Sequence, residues 1–120
     1  MKYLLILIIV AFAQSGCYYD KHDLLNPAAL SCDTVAVSFS RTIQPILNAN
    51  CTGCHTGVGS PNGVTLDSWA GARGPAMNGK LIGTITHAPG FSQMPKNGLK
   101  LSDCNIQKIR LWIAGGSLNN

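Results

Sequence analysis

Cys51-Thr52-Gly53-Cys54-His55 is the stretch on which the reading of this chain turns: two cysteines separated by two residues, with histidine directly after the second. That C-x-x-C-H spacing is the pattern of c-type haem attachment. Each thiol can add to one vinyl group of a porphyrin, and the following imidazole then lies under the iron as its proximal ligand. Thr52 and Gly53 are small, and the glycine lets the segment bend beneath the porphyrin edge. No internal repeat is present, so one motif implies one haem. Two other chemistries use the same residues. A dithiol redox pair would need a surrounding βαβ pattern, which the flanking sequence lacks. A structural zinc site would need Cys32 and Cys104 to complete a four-thiolate shell, but no second closely spaced Cys or His pair is found.

Working outward, Ile43, Ile46 and Leu47 predict a helix capped by Ser38 or Ser40 and running to about Asn50, which would deliver Cys51 to the haem edge. Pro45 is tolerated only near a first turn, so the helix is expected to begin between Arg41 and Gln44. Gly57 to Gly63 is a loop by composition. Asp67 or Ser68 can cap a short helix carrying Trp69 to Arg73, with Trp69 in the core and Gly74-Pro75 breaking the chain. Gly79 to Ile85 predicts another short helix with Leu81, Ile82 and Ile85 inward. Residues 87–98 form a Pro-, Gly- and Asn-rich loop that nevertheless holds His87, Phe91 and Met94. Ser102-Asp103 opens a last helix with Ile106, Ile109 and Ile113 on one face, Trp112 beside it, Lys108 and Arg110 outside, and Gly115-Gly116 as its end. The fold class this predicts is all-α, with three to five short helices joined by long loops.

At the N-terminus, Lys2 precedes an apolar run from Tyr3 to Ala13. It is short of the roughly 20 residues of a membrane span and suits the hydrophobic region of a signal peptide. Ser15-Gly16 before Cys17 resembles a bacterial lipoprotein cleavage box with Cys17 lipidated, although Gln14 stands where leucine is usual; an ordinary secretory cut near Gly16 is the alternative. The expected organisation is a signal peptide at 1–16, a lipidated N-terminus and tether at 17–37, in which His22 is a solvated linker residue, and a domain at 38–120. Export accounts for the remaining cysteines. With Cys17 on lipid and Cys51 and Cys54 on haem, Cys32 and Cys104 are left over in an oxidising compartment and predict a disulfide, two separate buried thiols being the alternative.

Composition narrows the function further. Charged residues make up 12% of the chain, the net charge is +4, and Lys and Arg are not clustered as nucleic-acid binding requires. No carboxylate pair, Ser/His/Asp order or phosphate loop points to catalysis, so no enzyme is expected. A small, loop-rich chain with 13 glycines gains from a prosthetic group that fills its core.

Residues Ser38 to Ile113 resemble a small monohaem class I cytochrome c. The run Ile43-Gln44-Pro45-Ile46-Leu47-Asn48-Ala49-Asn50 is similar to that in small cytochrome c lipoproteins of Bacteroidota-type bacteria. Met94-Pro95 and Ile109-Arg110-Leu111-Trp112-Ile113 fit the same resemblance. It implies a class I fold wrapped around one covalent haem c, terminal helices that cross, and a proline-bearing loop, which Pro61 would mark, supplying a carbonyl to the other nitrogen of His55. It also implies that a methionine before proline provides the sixth iron ligand, here Met94, with Pro95 fixing the backbone and Phe91 shielding the thioether. His87 is the rival, giving a bis-histidine iron of lower potential, and Met77 is a weaker one. The implied role is a membrane-tethered one-electron carrier on the periplasmic side of the bacterial envelope, docking transiently to redox protein donors and acceptors through a small interface. The alternatives are a haem enzyme or gas sensor with an open or displaceable sixth position, and a zinc- or disulfide-stapled binding module without haem.

Overall fold

Ser38 starts the first helical turn, its hydroxyl accepting from the Arg41 N–H at 3.4 Å. This computed structural model describes Cys32–Asn120; the signal segment 1–16, Cys17, His22 and the tether as far as Ser31 lie outside the described residues. Among the described residues the chain is helices and loops, with no strand. It is all-α.

The first α-helix begins at Gln44 with Pro45 in its first turn, as expected, and a helical turn of another kind precedes it. Phe39–Ile43 form a π-helical turn, in which the Gln44 N–H bonds to the Phe39 carbonyl, and α1 (Gln44–Asn50) follows without a break. Pro45 has no N–H to give, and it sits where the wider turn passes into α1, so its missing donor interrupts neither segment. Phe39, Ile43, Ile46 and Leu47 all point into the core.

α2 (Trp69–Met77) is capped by Ser68, whose hydroxyl accepts from the Gly71 N–H at 3.3 Å. It runs straight through Gly74-Pro75, contrary to the predicted break. Pro75 forgoes one backbone bond, but Ala72 and Ala76 are buried on either side of it, and their packing holds both halves of the helix in place. Gly71 is required by contact: a Cβ there would lie 2.5 Å from the Thr65 carbonyl oxygen. Arg73 lies over the Trp69 ring at 5.7 Å. Gly79, in the left-handed region at φ 78°, turns the chain into α3 (Lys80–Ile85), where Leu81, Gly83 and Ile85 are buried and Ile82 packs at the core's edge.

α4 (Asp103–Ala114) is capped by Ser102 and buries Ile106, Ile109 and Trp112. Trp112 therefore belongs to the inward face and Ile113 to its flank, the reverse of the predicted order; at i, i+3, i+6 the larger ring takes the central place against the first turn. Its partner is Phe39, with ring centroids 5.4 Å apart, so the last helix packs on the first helical turn. The segment after Gly115 is fastened down. Trp69 Nε1 donates to the Ser117 carbonyl, Trp112 Nε1 donates to the Leu118 carbonyl, and the Asn120 side-chain and main-chain oxygens accept from the N–H groups of Phe39 and Ser40.

Cys32 and Cys104 form a disulfide with their Cα atoms 5.5 Å apart. It attaches residues 32–37, assigned to the tether by sequence, to the start of α4. Ile109 is fully buried in this core, and Ile109→Ala is expected to cost about 2–5 kcal/mol through lost transfer energy and an unfilled cavity. Leu111, 42% exposed on the same helix, should cost under about 1 kcal/mol when cut to alanine. Denaturant midpoints of the two variants check the contrast.

Candidate functional site

α1 does not stop cleanly at Asn50. The N–H groups of Cys51 and Thr52 both bond to the Leu47 carbonyl, and those of Cys54 and His55 turn back to the Cys51 carbonyl at 3.1 and 2.9 Å. Leu47 is fully buried, so the helix that fills the core also fixes the five motif residues as a tight turn on its end. Cys51 is half-buried and Cys54 exposed, and both are free thiols. Burial pushes the Cys51 thiol up to about 11. It is therefore protonated at neutral pH.

His55 is oriented by the loop that follows. Its Nδ1 lies 3.0 Å from the Val64 carbonyl. A carbonyl only accepts, so Nδ1 carries the proton and Nε2 is left with a bare lone pair in the neutral ring. The loop is closed around this contact: the Leu66 N–H bonds to the His55 carbonyl at 2.8 Å, and the Thr56 hydroxyl donates to Asp67 Oδ2 at 2.7 Å. That hydroxyl holds the Asp67 carboxyl below the usual carboxylate range. The buried Ser60 hydroxyl also donates to the Val64 carbonyl. Pro61 opens a single 3₁₀ turn, Pro61–Gly63, that carries the chain to Val64. The proline thus marks the loop, and the acceptor is the carbonyl three residues beyond it.

Met94 is half-buried, and both of its backbone polar groups are engaged. Its N–H donates to the Thr84 carbonyl at the end of α3 at 3.1 Å, and its carbonyl accepts from His87 Nε2 at 3.1 Å. The Met94–Pro95 peptide is cis. Phe91 covers Gly83 of α3, where a Cβ would meet the ring at 2.5 Å, and remains 41% exposed. The other two candidates are placed differently. Met77 stands at the end of α2 and is 55% exposed. His87 spends its Nε2 on the Met94 backbone.

The pair Cys32 and Cys104, once bonded to each other, cannot complete a thiolate shell with Cys51 and Cys54. Among the described residues no group of three or more His, Cys, Asp and Glu side chains could hold a metal ion. The donor set at the motif is of another kind. Two unpaired thiols and one unprotonated imidazole nitrogen on a single turn suit a group with two electrophilic arms and a metal that takes a nitrogen ligand.

No family model, curated protein or solved structure matches this chain.

The residues that the sequence could not single out are Val64, Ser60 and Thr84. Their parts are played by a backbone carbonyl, a hydroxyl buried in a loop and another backbone carbonyl, none of which has a side-chain signature at this spacing.

Proposed function

We propose that this protein is a monohaem c-type cytochrome serving as a membrane-tethered one-electron carrier. The observation that carries the reading is the state of the motif: Cys51 and Cys54 unpaired on one turn, and His55 held by the Val64 carbonyl so that Nε2 is the free nitrogen. Haem c, when bound, supplies an iron that passes between two oxidation states. Cys51 and Cys54 would hold it covalently, and His55 would be the proximal ligand. The Val64 carbonyl fixes the tautomer of that imidazole and stops it from rotating. Met94 would be the distal ligand. Its thioether is neutral and soft, which favours the lower oxidation state and a relatively high potential. His55 and Met94 together would close the iron to exogenous molecules, and class I wrapping of the helices around one haem would complete the proposed architecture.

The reading is tested by adding carbon monoxide to the reduced protein. A closed iron gives an unchanged spectrum at neutral pH, together with fast electron exchange with small mediators. Ready carbon monoxide binding, or substantial peroxidase turnover by undamaged protein, would favour the enzyme or gas-sensor reading. A colourless protein would favour a stapled binding module.

Lipidation of Cys17 is part of the same proposal and rests on the apolar run at Tyr3 to Ala13 with Ser15-Gly16 ahead of the cysteine. No helix among the described residues is long and apolar enough to cross a membrane. Acyl chains at Cys17 would instead provide attachment, at about 0.8 kcal/mol for each buried CH₂, on the periplasmic side of the envelope, where redox protein donors and acceptors would dock transiently. Intact mass of the membrane fraction is expected to show a diacylated or triacylated chain beginning at Cys17; an unmodified soluble form as the sole species contradicts it.

A further inference from the structure

His87 combines three features that a solvated loop residue does not need. Its backbone lies in the left-handed region at φ 56°, which costs free energy for any residue bearing a Cβ and persists only where the surroundings enforce it. Its main chain closes the end of α3, the His87 N–H donating to the Thr84 carbonyl at 3.2 Å. Its ring then reaches seven residues ahead, to the Met94 carbonyl. Because that carbonyl can only accept, Nε2 carries the proton and the bond is a donation from the ring.

Thr84 and His87 therefore grip Met94 from its two sides. The Thr84 carbonyl takes the Met94 N–H, and the His87 ring takes the Met94 carbonyl. Between them the chain is pinned by the Ala88 N–H on the Gly83 carbonyl, by the Phe91 N–H on the Ala88 carbonyl, and by the Phe91 ring seated on Gly83. A methionine in a Gly- and Pro-rich loop would otherwise sample many positions. Here its Cα is fixed relative to α3, which is itself anchored through buried Leu81 and Ile85.

We propose that His87 is the positioning residue for Met94. It holds the loop so that the thioether stays in place against competing ligands, and it is not itself a ligand. The inference rests on the reading of Met94 as the distal ligand. Losing the ring's donation leaves Met94 able to bind but releases one of its two restraints, so exogenous ligands should displace it more readily.

The test uses the haem-loaded protein and titrates imidazole into the ferric form, following the far-red sulfur–iron charge-transfer band. His87→Asn tolerates the left-handed backbone but is too short to present a donor where Nε2 stands. His87→Gln places an amide N–H close to the Nε2 position and serves as the rescue. In His87→Asn the band should persist without imidazole, and half-displacement should need roughly three- to tenfold less imidazole, the range a single hydrogen bond spans. His87→Gln should return most of the way to the parent value. Equal imidazole affinity in His87→Asn and the parent, or equal weakening in the Asn and Gln variants, overturns the positioning role while the Met94 reading stands. Absence of the band in the parent protein, or its survival in Met94→Ala, overturns the Met94 reading and this inference with it.

Discussion

Replacing Met94 by alanine is expected to abolish the far-red band of the ferric protein and to open the reduced protein to carbon monoxide. The effect should be close to all-or-none, because alanine offers no donor atom and the variant's iron would keep only the proximal ligand from the chain. The Nε2–H of His87 donates to the backbone at position 94, which leaves Nδ1 as the ring nitrogen it could offer an iron. That bond involves the main-chain carbonyl and survives removal of the thioether. Met77 is a useful control: it is 55% exposed at the end of α2, and Met77→Ala should leave both the band and the closure to carbon monoxide untouched. A band that survives in Met94→Ala and vanishes in Met77→Ala would assign the ligand to the other methionine.

The second large effect is on stability. Cys32 and Cys104 are 72 positions apart, and joining them removes much of the conformational freedom of the unfolded chain. Chain-entropy arithmetic puts the gain at roughly 4 kcal/mol for a loop of this size, an upper figure because the proposed haem, joined inside the same loop, would already restrain the unfolded state. Serine at both positions should lower the melting temperature by at least about 10 °C, given how steeply melting temperature follows stability in a domain of this size. It should leave the spectrum of the folded protein unchanged, because neither cysteine belongs to the donor set at the motif. Non-reducing peptide mapping of freshly isolated protein supplies the companion check. Free thiol labelling at both positions would contradict the bond.

Much of this architecture is legible in the sequence because its signals are local. Ser38, Ser68 and Ser102 each cap a helix through their own hydroxyls, and Ile43, Leu47, Ile106 and Ile109 recur at helical spacing. The departures arise where tertiary packing outweighs a local rule. Pro75 reads as a break, but burial of Ala72 and Ala76 carries α2 past it. Pro45 reads as a first-turn residue and is one, in an α-helix that begins at Gln44; the π-helical turn at Phe39–Ile43 ahead of it has no signal in the sequence. Trp112 reads as a neighbour of the inner face, and the ring of Phe39 draws it inside.

The site divides in the same way. Cys51, Cys54 and His55 are visible because the chemistry demands side chains at fixed spacing. The groups that orient them are mostly backbone atoms, and a carbonyl such as Val64's is present at every residue, so only the fold says which one His55 meets. His87 illustrates the harder case. By residue type it competes with Met94 for one role, and nothing in its spacing announces that its ring donates to the Met94 carbonyl.

The central claim is that the thiols of Cys51 and Cys54 are joined to one haem. Mass analysis of the peptide carrying residues 51–55, from protein alkylated under denaturing and reducing conditions, tests it most directly. The account predicts a single coloured peptide heavier by one haem, with neither Cys51 nor Cys54 alkylated. A colourless peptide of unmodified mass, alkylated at both cysteines, would contradict it.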